Sequence, residues 1–291
     1  MSTVKYNNIK IEGLNVFYRE SGNKDAPTLL LLHGFPSSSY QFRHLFSNSK
    51  LDKYHLVAPD YIGYGNSDQP STKEFEYSFD NQARIIQKFI DAIGLKRFSI
   101  YVFDYGAPIG YRLATAQPER IEGIVIQNGN AYNEGIDCKF WDNIKKFWIN
   151  PKDPEVIPGV LKLLTLEATK WQYQNGARDI SSVSPDGWLM DQYFLDRPGN
   201  AEVQAAMLHS YSTNPPLYPQ WQEYFRTHQP SSLLVWGKGD EIFPASGAYP
   251  YQKDLKNLEF HLLNTGHFAL EEDSILISNL IDNFLYKIHN K

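Results

Sequence analysis

The chain has 291 residues, 42% of them hydrophobic, and a formal charge of −5. That size and apolar content suit one large α/β domain or a core domain carrying an insertion, and a mildly acidic chain without a Lys/Arg block does not suit nucleic acid. The single cysteine, Cys138, excludes an internal disulfide and any cysteine-built metal site. The first residues lack the apolar stretch of a signal peptide, and no run approaches the ~18 apolar residues of a membrane span. A cytoplasmic protein with a small-molecule partner is expected, homodimerisation being left open.

In chain order, Ile9 to Glu20 reads as a hairpin turned at Glu12-Gly13-Leu14-Asn15. Thr28 to Leu32 is a continuous apolar run, the pattern of a strand buried on both faces. A helix is expected over Tyr40 to Phe46 and a short strand over His55 to Ala58. Ser78 to Ile93 carries Phe79, Ala83, Ile86, Phe89 or Ile90, and Ile93 at helical spacing, with Asp80 in its first turn and Gly94 after its end. A strand, Phe98 to Phe103, then a helix, Ala107 to Ala116, and a strand, Ile121 to Gln127, follow. The order resumes with a strand, Leu233 to Trp236, a helix near Tyr249 to Leu255, a strand, Leu258 to Leu263, and a final helix striped by Ile277, Leu280, Ile281, Phe284 and Ile288. Alternating strands and helices predict a mostly parallel sheet covered on both sides. Residues 1–128 and 231–291 form the expected core. Residues 129–230, with five of the six tryptophans and breakers such as Asn150-Pro151 and Pro215-Pro216, form an expected helical cap inserted in it.

The chemistry centres on Val102-Phe103-Asp104-Tyr105-Gly106-Ala107. An apolar strand that ends in a small turn and opens into a helix is the setting of a nucleophile elbow, and the tip here is Asp104. An ionised carboxylate has no proton to lose, so its use is to attack a saturated carbon and form an ester that water then cleaves. The later strands end at Gly237-Lys238-Gly239-Asp240 and Thr265-Gly266-His267, which supplies an acid and a base in the order nucleophile, acid, base. His267 would activate water, oriented by Asp240. His33-Gly34-Phe35-Pro36 follows the first buried strand; in this architecture the N–H groups of Phe35 and Tyr105 would form an oxyanion hole, with His33 holding the loop. Asp60 to Asp68 has a G-x-G but no third glycine or phosphate-cradling helix, so it reads as a loop shaping the sheet edge. No metal and no cofactor is expected: there is no zinc-spaced Cys/His cluster and no phosphate-binding glycine loop.

These motifs, together with Asp60-Tyr61-Ile62-Gly63-Tyr64-Gly65 and Gly266-His267-Phe268, resemble the α/β-hydrolases of the epoxide hydrolase and haloalkane dehalogenase branch over nearly all of the chain outside the cap. The resemblance implies an eight-stranded, mostly parallel sheet with a helical cap and an Asp-His-Asp triad. The substrate is less defined by it. Haloalkane dehalogenases usually hold the halide with a Trp after the nucleophile and an Asn or second Trp elsewhere; here Tyr105 and Phe35 stand in those places. Fluoroacetate dehalogenases carry arginines just after the nucleophile, and residues 105–110 contain none. Epoxide opening calls for a proton-donating cap tyrosine, and Tyr211 stands about where the resemblance puts one. The second donor position falls at Phe147-Trp148, so Trp148 and Tyr211 are the expected substrate- or leaving-group-binding pair. The resemblance implies an epoxide hydrolase-like enzyme first, and a haloalkane dehalogenase-like enzyme second. Another hydrolase or lyase on the same core, or a ligand-binding homologue without turnover, remains a further alternative.

Overall fold

The computed structural model describes residues 3–290. Eight strands form one sheet: β1 (Lys5–Ile11), β2 (Leu14–Ser21), β3 (Thr28–Leu32), β4 (His55–Pro59), β5 (Phe98–Phe103), β6 (Ile121–Gln127), β7 (Ser232–Gly237) and β8 (Leu258–Leu263). Their order is β1-β2-β4-β3-β5-β6-β7-β8. β2 runs antiparallel to both β1 and β4, and every other pair is parallel. Period-two geometry sorts the apolar runs onto two faces. Leu30, Leu32, Ile100, Val102, Ile124, Ile126 and Leu234 join one core. Leu29, Leu31, Tyr101, Phe103, Val125, Leu233 and Val235 join the other. Continuous hydrophobic strands are what a sheet covered on both sides requires.

The helix Phe79–Ala92 begins where Ser78 accepts a hydrogen bond from the Asn81 N–H, a side-chain N-cap. The other core helices are Arg43–Phe46, Gly106–Ala116, Tyr251–Asp254 and Leu270–His289. Three expectations need correction. β1 starts four residues before Ile9, because an edge strand is held by backbone pairing to β2 and tolerates the mostly exposed Lys-Tyr-Asn-Asn. The helix expected over Tyr40 to Phe46 is a 3₁₀ turn, Ser39–Phe42, followed by one turn of α-helix. Near Tyr249 the helix is only Tyr251–Asp254, since Pro250 lacks an N–H and biases the preceding residue away from helical ψ.

Between β6 and β7 the chain forms six α-helices: Phe140–Ile149, Ile157–Lys162, Leu166–Gln174, Pro185–Leu195, Asn200–Ser210 and Tyr218–His228. They lie against the loops that leave the carboxyl ends of the strands. The Ser210 hydroxyl accepts the Phe79 N–H at 3.1 Å, the Trp141 indole donates to the Ile242 carbonyl at 2.7 Å, and Arg197 donates to the carbonyls of Gly63 and Gly65. No helix among the described residues is long and apolar enough to cross a membrane.

Candidate active site

Asp104 ends β5 in the left-handed region, at φ 49°. A non-glycine residue adopts that conformation only when its surroundings hold it there, which is a mark of functional turns. The constraint is visible on both sides. Behind it the helix Gly106–Ala116 starts at once; in front, the loop after β3 crosses so closely that a Cβ on Gly34 would overlap the Asp104 side chain. Only glycine permits that approach. Its result is that two backbone N–H groups converge on one carboxylate oxygen: Phe35 donates to Asp104 Oδ1 at 2.7 Å and Tyr105 at 2.6 Å.

The second oxygen, Oδ2, faces the His267 ring, with Nε2 at 3.7 Å. That nitrogen has no hydrogen-bond partner among the described residues. The other, Nδ1, lies 2.7 Å from Asp240 Oδ2, so it carries the proton and donates it there, leaving Nε2 as an acceptor when the ring is neutral. Asp240 is itself fully engaged. Its Oδ1 accepts the N–H groups of Ile242 (2.7 Å) and Phe243 (3.1 Å), and its Oδ2 also accepts from Asn128 Nδ2 at 2.7 Å. The His267 carbonyl is tied to Gln127 Nε2 at 3.1 Å.

Burial sets the electrostatics. Removal from water pushes the Asp104 carboxyl up to about 6, against the opposing pull of His267 and the two N–H donors. Burial works against the charged form of His267, but the Asp240 carboxylate, with Asp104 beyond, outweighs it and raises the imidazole above its ordinary value. His33 has no such partner. Burial lowers it to about 3, and the neutral ring accepts the Tyr61 N–H and bonds the Gly34 carbonyl, bracing the loop that carries Phe35.

The expected substrate-binding pair sits differently. The Trp148 indole donates to the Leu208 carbonyl at 2.9 Å, and its ring is absent from the lining of the cavity at Asp104. Its one donor is therefore already used, which corrects the expectation that it faces the leaving group. Tyr211 is fully buried, its ring 5.9 Å from Tyr105 and 4.7 Å from Trp141. It stands one layer behind that lining. Arg112 is committed to Asp80, Asn214 and the Pro108 carbonyl.

Three contributors went unread in the sequence: Asn128, Trp141 and Gln172. Asn128 resembles Asp104 in its backbone, with φ 43° at the end of β6. An asparagine at a strand's carboxyl end, two positions before the Asn130 that opens the next turn, is a weak signal, and only the sheet order brings it beside β7. The cavity at Asp104 is small, about 20 Å³, and lined by Phe35, Tyr105, Phe140, Trp141, Ile144, Leu163, Gln172, Leu208 and Ile242. Among the described residues no group of three His, Cys, Asp or Glu side chains gathers as a metal site.

The family model for the alpha/beta hydrolase fold matches residues 27–151. An uncharacterized hydrolase of Saccharomyces cerevisiae is 38% identical over 280 residues, covering 95% of this chain and 96% of that protein. Haloalkane dehalogenase 2 of Mycobacterium tuberculosis is 36% identical over 113 residues, which is 39% of this chain and 38% of that one. Among solved structures, haloalkane dehalogenase DbeA from Bradyrhizobium elkani superposes with a TM-score of 0.79 at 22% identity, covering 99% of both chains. With the sheet order, the elbow and a full-length relative in agreement, the chain belongs to the α/β-hydrolase fold family, as a hydrolase.

Proposed function

We propose that the protein hydrolyses a bond at a saturated carbon through an ester on Asp104, with an epoxide as substrate and a diol as product. The observation that carries this reading is the asymmetry of the Asp104 carboxylate: Oδ1 is held by two N–H groups while Oδ2 faces an unpartnered His267 Nε2. Oδ2 attacks the carbon, forming the ester C–O bond as the epoxide C–O bond breaks and its electron pair goes to the departing oxygen. Tyr211, which burial keeps protonated at neutral pH, lies directly behind Tyr105 and Trp141 and is the donor to that alkoxide once the bound substrate has widened the cavity. A water then gives its proton to His267 Nε2 and adds to the ester carbonyl carbon. The oxyanion so formed is the former Oδ1, already placed between the N–H groups of Phe35 and Tyr105. Collapse expels the product oxygen, which takes the imidazolium proton; the remaining carboxyl proton restores Tyr211 through solvent. Asp240 stabilises the imidazolium between these steps. The helices between β6 and β7 act as the cap, across residues 129–230.

A haloalkane substrate is the second reading, favoured by the dehalogenase relatives. Against it, the indoles of Trp141 and Trp148 both donate to backbone carbonyls, so neither offers a halide its N–H. Turnover of 1,2-epoxybutane and 1-bromobutane side by side decides between them. The epoxide reading expects diol from the first and little or no bromide from the second. It also expects Tyr211→Phe to lower epoxide turnover about 10²-fold or more, the scale of a lost general acid. Bromide release that Tyr211→Phe does not touch, with the epoxide inert, would replace it with the second reading.

A further inference from the structure

The cavity at Asp104 is almost wholly apolar, and its one buried carboxamide is out of character. Gln172 lies on the helix Leu166–Gln174, is 3% exposed, and lines that cavity. Its Nε2 has no hydrogen-bond partner among the described residues. The other buried polar side chains of the same helix are satisfied: Thr169 donates to Gln192 Oε1 at 2.9 Å and Tyr173 to Asp191 Oδ2 at 2.6 Å. A buried N–H₂ group left without an acceptor is destabilising, and such groups are few in native proteins and call for a reason. A leucine or methionine would fill the site without that cost.

We propose that Gln172 is the donor that receives the departing atom of the substrate. The inference rests on the aspartyl-ester reaction above and deepens it by naming the group on the far side of the bond that breaks. Elsewhere on the wall the positions are taken by Phe35, Phe140, Ile144, Leu163, Leu208 and Ile242, which offer carbon, by Trp141, whose N–H is bound to Ile242, and by Tyr105, whose ring packs against Phe35, Phe79 and Tyr211. As Asp104 Oδ2 forms its bond to carbon, the electron pair of the breaking bond collects on the departing atom. An amide N–H hydrogen-bonds that developing anion and keeps its proton. A halide then leaves as it is; an alkoxide takes its proton from Tyr211. The shared chemistry is an electronegative leaving atom on a small apolar skeleton, with no second charged group, because the lining contains no cation to pair it.

A donor that matters only as charge develops acts on ester formation and leaves ester hydrolysis alone. The test therefore isolates the first step. Variants His267→Gln, His267→Gln/Gln172→Leu and His267→Gln/Gln172→Met are mixed with 1,2-epoxybutane or 1-bromobutane, and the Asp104 adduct is followed by intact-protein mass spectrometry. Both double variants should form the ester about 10- to 100-fold more slowly than His267→Gln. The single variants Gln172→Leu and Gln172→Met should melt at or above the parent's midpoint, since the orphaned donor is gone. Slowing with the epoxide alone assigns the donor to an alkoxide oxygen, and slowing with the bromide alone to a halide. Unchanged ester formation in both double variants, with His267→Gln still forming adduct, would overturn the assignment and leave the ester reaction standing. Slowing confined to a variant whose midpoint falls would assign Gln172 to packing and overturn it too. No adduct from His267→Gln itself would remove the reaction, and the assignment with it.

Discussion

Asp104 is held in a conformation and an environment that both cost stability. Its folded pKa of about 6 lies above the 3.8 of an exposed aspartate. The folded state therefore binds the proton more tightly. The contribution to stability is full below the unfolded value and is lost as pH rises through about 6. A shift of that size corresponds to about 3 kcal/mol at neutral pH. Asp104→Asn removes the titration, so it should melt higher than the parent, with a wider gap at pH 8 than at pH 5. In the proposed reaction only the ionised carboxylate attacks, so kcat/KM should fall as pH drops below about 6. In His267→Gln the midpoint for ester formation should move upward, because His267 no longer favours the carboxylate. Thermal melts and single-turnover rates across pH 4.5–8.5 check both. A stability gap that narrows with rising pH would contradict the assigned shift.

At the scale of elements, Asp240 and His267 are carried on loops held from outside the sheet. The loops that follow β7 and β8 press against the end of the helix Leu166–Gln174. A Cβ on Gly266 would overlap the Asn175 carbonyl, and Gly239 meets the backbone of Gly176. Arg178 then bridges to Asp273 and the Glu272 carbonyl at the start of the last helix. Gly266→Ala must push residues 175–177 away, which disturbs His267 and Gln172 from both sides. The expected loss is about 2–4 kcal/mol of stability, as for other tight backbone positions, and a fall of at least tenfold in kcat; denaturant unfolding and steady-state rates measure them. An alanine variant with parental stability and rate would show that this contact does not position the base.

These elements also show what was readable in the chain. Strand ends are legible because an apolar run followed by glycine and a polar residue has few other meanings, and so Asp104, Asp240 and His267 could be named from spacing. The helices between β6 and β7 were legible only as a composition. Which of its aromatics face the cavity depends on helix packing that no local pattern encodes; Trp148 and Trp141 are seven residues apart on one helix, and only Trp141 lines the cavity. Asn128 and Gln172 were invisible for a related reason. Each matters through a neighbour far away in sequence, Asp240 and Asp104, brought close by the sheet order and by the helices between β6 and β7.

For the whole molecule, a cavity of only about 20 Å³ means that substrate entry needs an opening between the sheet loops and the helices above them. The sheet is the rigid part, with β3, β4, β5 and β7 buried along their length. The helix Ile157–Lys162 is the opposite, with Val160 its one buried residue. Few buried contacts make for local opening at low cost. Amide hydrogen exchange should be fastest around residues 150–166 among the helices between β6 and β7. It should slow there when the Asp104 ester accumulates in His267→Gln. Uniform protection across those helices, unchanged by the ester, would place the entry route elsewhere.

In the proposed reaction Asp104 carries the substrate between two steps and His267 serves chiefly the second. Intact-protein mass spectrometry of His267→Gln incubated with 1,2-epoxybutane tests it most directly. A gain of one substrate mass is expected, mapped by peptide sequencing to Asp104 and absent from the Asp104→Ala/His267→Gln pair. An adduct on any other residue, or a His267→Gln variant that stays unmodified while turning over at the parental rate, would contradict it.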